Sequence, residues 1–288
     1  MIEIQVGQGA MPGNAVIATP TEVRPEIKRL MRLRPGDAPI IHADLFLADP
    51  ATPASLHEAV AFLREHADVP LALKMGASDR LEHDLDVALD AGVDVIVIDG
   101  TEGATGNAPV TLSDHFGIPA LHALCRASQH LRRRGREADV DLCISGGLRE
   151  PGDFLKAYAL GAKAVGLATV VMFAMAHPQI TETFPFYPPT DLIFYRARPR
   201  IPLNVDMAAD ALVRFFESCR KEMEVALRTM GHRSVKDIGP GDLCALDPDI
   251  AAVAGVPFSG RRRKEPERWR ASMQDTRARL AKRRPVRV

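Results

Sequence analysis

The sequence has no closely spaced cysteines. Cys125, Cys143, Cys219 and Cys244 are scattered along the chain, without the C-x-x-C type of spacing that lets one loop supply a zinc or iron–sulfur site. They read as buried apolar thiols of a reducing compartment, and no metal site is expected. There is no run of roughly eighteen apolar residues, the length a membrane-spanning helix needs. The opening MIEIQVGQGA lacks the basic and apolar regions of a signal peptide. A soluble, cytoplasmic protein without membrane contact is therefore expected. Net charge is missing as well, since 37 Lys and Arg balance 37 Asp and Glu. The balance is uneven, because Arg261 to Val288 is crowded with Arg and Lys against Glu265, Glu267 and Asp275, so the body before it is acidic. That tail has neither the apolar content to fold alone nor the aromatic interleaving of a nucleic-acid surface, and reads as a solubilising or interaction tail.

What the 288 residues do contain, at 46% hydrophobic and 26% charged, is ordinary globular composition. From residue 70 to about 170, short β-branched runs alternate with helical patterns, the mark of βαβ units around a parallel sheet. PLALKM (Pro70 to Met75), VDVIVID (Val93 to Asp99), VDLCIS (Val140 to Ser145) and AKAVGLA (Ala162 to Ala168) are the strand candidates, with IEIQV (Ile2 to Val6) and APIIHADLF (Ala38 to Phe46) upstream. Helices are expected over Ser55 to His66, from Asp79 to Gly92, up to Gly135, and from Pro151 to Gly161. Beyond residue 180 the pattern changes. Phe184 to Pro202 is too rich in proline for a regular helix, and a long amphipathic helix follows, with Leu212, Phe215, Phe216, Cys219, Met223, Leu227 and Met230 on one stripe and Gly231 at its end. A closed barrel of this βα type takes about 250 residues for the barrel alone. The reading is therefore an α/β fold of the (β/α)8 TIM-barrel type, an incomplete barrel lacking the first strands. Residues 1–183 are its C-terminal part, 184–258 a Pro/aromatic loop and helical extension packed on it, and 259–288 the basic tail.

Two successive strand ends offer small residues for an anion: Ser145, Gly146 and Gly147, then Gly166, Leu167, Ala168 and Thr169. In (β/α)8 barrels the loops after the last strands commonly build a phosphate site, because glycine lets backbone N–H groups approach and a helix N-terminus faces the anion. Lys74 ends a strand otherwise made of apolar residues, so its ammonium emerges at the C-terminal mouth, where a cation would stabilise an electron-rich flavin ring. The loop after the next strand, with Gly100, Glu102, Gly103, Thr105 and Gly106, supplies a further wall. His115, His122 and His177 read as structural or surface residues.

QGAMPG (Gln8 to Gly13), ALKM, IDGTEGATGNAP (Ile98 to Pro109), ISGGLREPGDFLKAYALGAKAVGLAT (Ile144 to Thr169) and FFESCRKEMEVALRTMGHRSVKDI (Phe215 to Ile238) occur in this order. The set resembles the FMN-binding synthase domain of glutamate synthases in their short stand-alone form, over nearly all of residues 2–250. The resemblance implies a (β/α)8 barrel that binds FMN and reduces 2-iminoglutarate, formed from 2-oxoglutarate and ammonia, with an electron donor that the sequence leaves unnamed. It implies that Lys74 contacts the flavin, that Gly100, Gly103 and Thr105 lie beside it, and that Ser145 to Gly147 and Gly166 to Thr169 hold its phosphate. Gln8 falls at a position facing the dicarboxylate, and Lys74 and Glu102 at the catalytic ones.

The chain departs from the family pattern where lysines would stand at Gln5 and Met11, a glycine pair at Asn14 and Ala15, and a proline–histidine stretch at IIHADLF, which leaves His42 as a stand-in. The cysteine cluster of the long enzymes is replaced by AMAHPQITETFPFYPP, so no iron–sulfur cluster is expected. The departures leave other readings open: a non-catalytic flavin-binding remnant or regulatory partner of a complete synthase, or a barrel that binds a phosphorylated metabolite. A parallel sheet that begins at IEIQV would present an open edge and apolar surface, so a homo- or hetero-oligomer is expected.

Overall fold

A computed structural model of the chain describes residues 1–10, 16–17, 25–30, 32, 34, 40–42, 53–104, 108–179 and 204–260. Along the chain lie β1 (Ile2–Gln5), β2 (Val16–Ile17), α1 (Pro25–Leu30), β3 (Ile40–His42), α2 (Pro53–His66), β4 (Leu71–Gly76), α3 (Leu81–Ala91) and β5 (Val95–Asp99). They are followed by α4 (Val110–His115), α5 (Ala120–Arg134), β6 (Asp141–Ser145), α6 (Pro151–Ala159), β7 (Ala164–Gly166), α7 (Thr169–Ala176), α8 (Val205–Met230) and α9 (Pro248–Ala254).

Five strands form one sheet in the order β1-β4-β5-β6-β7, every pairing parallel. Neighbours follow chain order, and right-handed crossovers then put the connecting helices on one face. Consistent with this, α2 packs on α3 and α3 on α5. Such a singly wound sheet is an arc of a (β/α)8 barrel, not a doubly wound sheet whose order reverses at its centre. The described residues thus form an α/β structure of incomplete-barrel type with helices appended.

Side chains alternate across a strand, and the register shows what each face does. Leu71, Leu73, Met75, Ile96, Ile98, Leu142 and Ile144 are all buried under the helices. The other face carries Gln5, Lys74, Val97 and Cys143 in one cross-strand row and Asp99, Ser145 and Gly166 in the next. VDVIVID looks apolar on both faces, yet Val95 and Val97 are only half-buried while Ile96 and Ile98 are inaccessible. The barrel interior is the face that stays open to ligands.

Ile40–His42, the described part of IIHADLF, does not join this sheet. Ile40–His42 pairs antiparallel with Val16–Ile17 in a two-stranded sheet, because β1 bonds directly to β4 and leaves no slot between them. The long helix is where the apolar spacing places it, with the Asn204 side chain accepting from the Met207 amide at 3.0 Å as its N-cap and Gly231 in left-handed backbone at its end. It packs on α6 and α7. Only part of its stripe is covered: Cys219 and Leu227 are buried, whereas Phe216 and Met230 stay exposed. At the far side, α9 lies on α5, where Gln129 Nε2 donates to the Val253 carbonyl at 2.6 Å. Residues 184–202, the tail from residue 261 and the departure positions Met11, Asn14 and Ala15 lie outside the described residues.

Candidate active site

The C-terminal ends of β4, β5, β6 and β7 surround a cavity of about 550 Å³, within the ordinary range for small-molecule sites. Gln8, Lys74, Glu102 and Gly103 line one side, and Ser145 to Gly147 with Gly166 to Thr169 line the other. Eleven of the thirteen sequence candidates therefore share one cavity. Gly100 does not line it. That residue is buried behind Gly146, its amide donating to the Ser145 carbonyl at 2.9 Å, and its missing side chain makes room for Ala120. Thr105 lies outside the described residues.

Local geometry explains the glycines on the β6 side. Gly146 and Gly147 have φ of +104° and +70°, backbone that other residues adopt at a steric cost, and a Cβ on Gly146 would stand 3.0 Å from the Gly100 amide. On the β7 side the strand runs straight into α7, whose N-cap, Ala168, has no side-chain oxygen to give the first-turn amides. Helix start and glycine turn face the same cavity, the arrangement that attracts an anion.

The inner-face row supplies the charges. Lys74 Nζ lies 3.8 Å from Asp99 Oδ2, with Asp99 only 3% exposed at its side chain, and Ser145 Oγ donates to Asp99 Oδ1 at 2.5 Å. Glu102 has a second employment: its carboxylate accepts from the Ala120 amide at 3.0 Å, capping α5 after Pro119. Gln5 Nε2 donates to Gln8 Oε1 and Gln8 Nε2 to the Gly103 carbonyl, each at 3.2 Å, so a relay of neutral amides spans the place where the family pattern has a cation.

Asp99, Arg149 and Phe173 also line the cavity and were not singled out from the sequence. For Asp99 a signal exists, an acidic residue ending an apolar strand two residues beyond the partner of Lys74. None of His115, His122 and His177 lines the cavity; His122 lines a separate hollow behind Gly146 and Gly147.

The thiols differ from expectation in part. Burial pushes Cys125 up to about 11 and raises Cys143 and Cys219, which keeps them protonated and unreactive. Cys244, by contrast, is exposed. Among the described residues no group of three His, Cys, Asp or Glu gathers as a metal site would, and no helix is long and apolar enough to cross a membrane.

Residues 1–233 match a family described as the conserved region in glutamate synthase. The chain belongs to this glutamate synthase family. Among its relatives is a glutamate synthase large subunit-like protein of Rhizobium meliloti, 28% identical over 280 residues, covering 90% of this chain and 62% of that protein. An archaeal-type glutamate synthase [NADPH] of Dehalococcoides mccartyi is 33% identical over 180 residues, covering 61% of this chain and 35% of the relative. The chain thus spans between about a third and two thirds of the length of these family members. Of solved structures, a flavocytochrome b2 variant with pyruvate bound overlaps with a TM-score of 0.45 at 17% identity, over 94% of this chain and 53% of that one.

Proposed function

We propose that the chain is an FMN-dependent oxidoreductase of the glutamate synthase type, acting on a 2-oxo acid and ammonia or on the corresponding amino acid. The observation that carries this reading is the convergence of two glycine-rich strand ends, the start of α7 and Lys74 on one cavity. The residues present suit the group. Backbone amides at Gly146, Gly147 and the first turn of α7 would hold the phosphate, while Lys74 and the loop from Glu102 would border the ring. Bound FMN supplies a two-electron carrier able to deliver reducing equivalents to an imine carbon. The chain's own part is to orient that ring, exclude water with Leu167 and Phe173, and place Gln8 over the cavity for the substrate carboxylate.

The test is direct. Purified protein should be yellow or become so with FMN, releasing flavin on heating, and should oxidise the reduced flavin with 2-oxoglutarate and ammonia. Protein that binds inorganic phosphate or a sugar phosphate and ignores FMN would favour the phosphorylated-metabolite barrel. One observation favours a second reading, a flavin-binding partner without turnover: the Gln5–Gln8–Gly103 relay offers a dicarboxylate hydrogen bonds but no charge. Tight FMN binding without turnover would select it. Partner subunits, an electron donor of another chain and a cytoplasmic setting belong to the same proposal.

A further inference from the structure

Asp99 is the one charged side chain buried among the described residues, at 2% exposure, and every neighbour constrains it. One oxygen accepts the Ser145 hydroxyl, the other lies 3.8 Å from the Lys74 ammonium, and a Cβ on Gly103 would overlap the carboxylate. Gly103 thus packs directly against the carboxylate.

Two chemical consequences follow. A serine hydroxyl has one hydrogen; with it given to Asp99, Ser145 Oγ presents only lone pairs to a ligand and has no donor for a phosphate. A carboxylate 3.8 Å from an ammonium, with the two side chains only 3% and 20% exposed, offsets part of the cation's field. Lys74 therefore faces the cavity as half of an ion pair.

We infer, resting on the FMN reading above, that Asp99 is a positioning residue that fixes the Lys74 ammonium and the Ser145 hydroxyl and, by offsetting the lysine's charge, holds the reduction potential of the bound flavin below the value Lys74 alone would set. A cation stabilises the reduced, anionic ring and raises the potential. The carboxylate works against it.

The full chain, reconstituted with FMN, is titrated potentiometrically as wild type, Asp99→Asn, Lys74→Met and the double variant. Asparagine keeps the shape and the acceptor for Ser145, so Asp99→Asn should shift the potential positive; Lys74→Met should shift it negative, and adding Asp99→Asn to Lys74→Met should bring it back up. A potential unchanged or lowered in Asp99→Asn overturns the inference. Should that single variant fail to fold, the double variant against Lys74→Met decides, and equal potentials overturn it. Ser145→Ala should keep FMN affinity within about threefold, whereas a hundredfold loss would return the hydroxyl to the phosphate and overturn its assignment. Wild-type protein that takes up no FMN overturns the flavin reading and this inference with it; flavin bound with unmoved potentials overturns this inference alone.

Discussion

Strand β5 has a carboxylate at each end, and the two live differently. Asp94, just before the strand, is 45% exposed at its side chain. Its Oδ2 accepts from the Leu71 amide and from Arg64 Nη2, both at 2.7 Å, and the same guanidinium reaches the Gly92 carbonyl at 3.0 Å. Asp99, at the other end, is almost inaccessible and shares its oxygens between a hydroxyl and a more distant ammonium. The first has close, strong donors that it hardly needs, since water would serve. The second sits where a charge is expensive to keep, with its cation 3.8 Å away and a cavity beside it. The end that fastens the sheet has close donors and water as well, while the end that borders the cavity keeps a buried charge, the distribution expected when stability and function occupy opposite ends of the same strands.

The sharpest way to break that contrast is at Gly146. A side chain there meets the Gly100 backbone at a φ of +104°, and an aspartate adds negative charge where an anion is expected to sit. Gly146→Asp should lower FMN affinity by at least about a hundredfold, roughly the effect of losing 3 kcal/mol, while far-UV circular dichroism still reports the helices. Undiminished flavin content would remove the phosphate site from the mouth.

Next in size is Gly103→Ala. The new methyl lands on the Asp99 carboxylate, so the carboxylate must shift and strain the contacts with Ser145 and Lys74. A cost of about 1–3 kcal/mol is expected, read as a lower urea midpoint at constant m. Stability equal to wild type would mean that Asp99 has room after all and that the two ends of β5 are alike.

Much of the fold was legible because its elements are periodic. The helices from Pro53, Leu81, Ala120, Pro151 and Val205 lie close to where capping and spacing put them, as do the strands from Ile2, Leu71, Val95, Asp141 and Ala164. What escaped is set by pairing between distant segments. Nothing local to Ile40–His42 tells that its partner is Val16–Ile17. Lys74 was visible as an odd residue in an apolar strand, whereas Asp99 looked like the natural end of one; only the register of β4 on β5 shows that both project from the same face. In the sequence Gly100 looks like the other loop glycines, although the tight seat of Ala120 against it is what demands glycine. Cys244 is exposed although its neighbours Leu243 and Ala245 turn inward, Leu243 packing against the core and Ala245 buried.

A smaller effect is expected on the helical flank, which belongs to the fastening side of the comparison. Glu82 on α3 receives Arg126 of α5 through both carboxylate oxygens, at 2.9 and 2.5 Å. Those hydrogen bonds hold its pKa at about 2, against an ordinary value of 4.5. A depressed carboxylate pKa contributes stability above the unfolded-state pKa and loses it as pH falls through the folded one. The pair is about a third exposed, so solvent screening leaves roughly 1 kcal/mol for Glu82→Gln at neutral pH. The gap from wild type should close between about pH 4.5 and 2; a gap that persists at the acid end would assign the loss to packing and not to charge.

The smallest effect is expected at Asp94, although its carboxylate takes two hydrogen bonds at 2.7 Å. In Asp94→Asn the amide oxygen can still accept from the Leu71 N–H, so the backbone tie between β4 and the entry to β5 survives and only the charge facing Arg64 is lost. With side chains 37% and 45% exposed, water substitutes for most of what the ion pair gave, and the cost should stay below about 1 kcal/mol. The Leu71 amide is the first cause that holds the Asp94 pKa below its model-compound value of 3.8, with Arg64 adding to it and burial opposing. Whatever stability the charge contributes is therefore present above about that value and fades as pH falls below it. Thermal unfolding of wild type and Asp94→Asn at pH 7 and near pH 3 measures this. A large loss at pH 7, rivalling Gly103→Ala, would show that the exposed carboxylate holds the sheet as firmly as the buried one, and the division of labour along β5 would not stand.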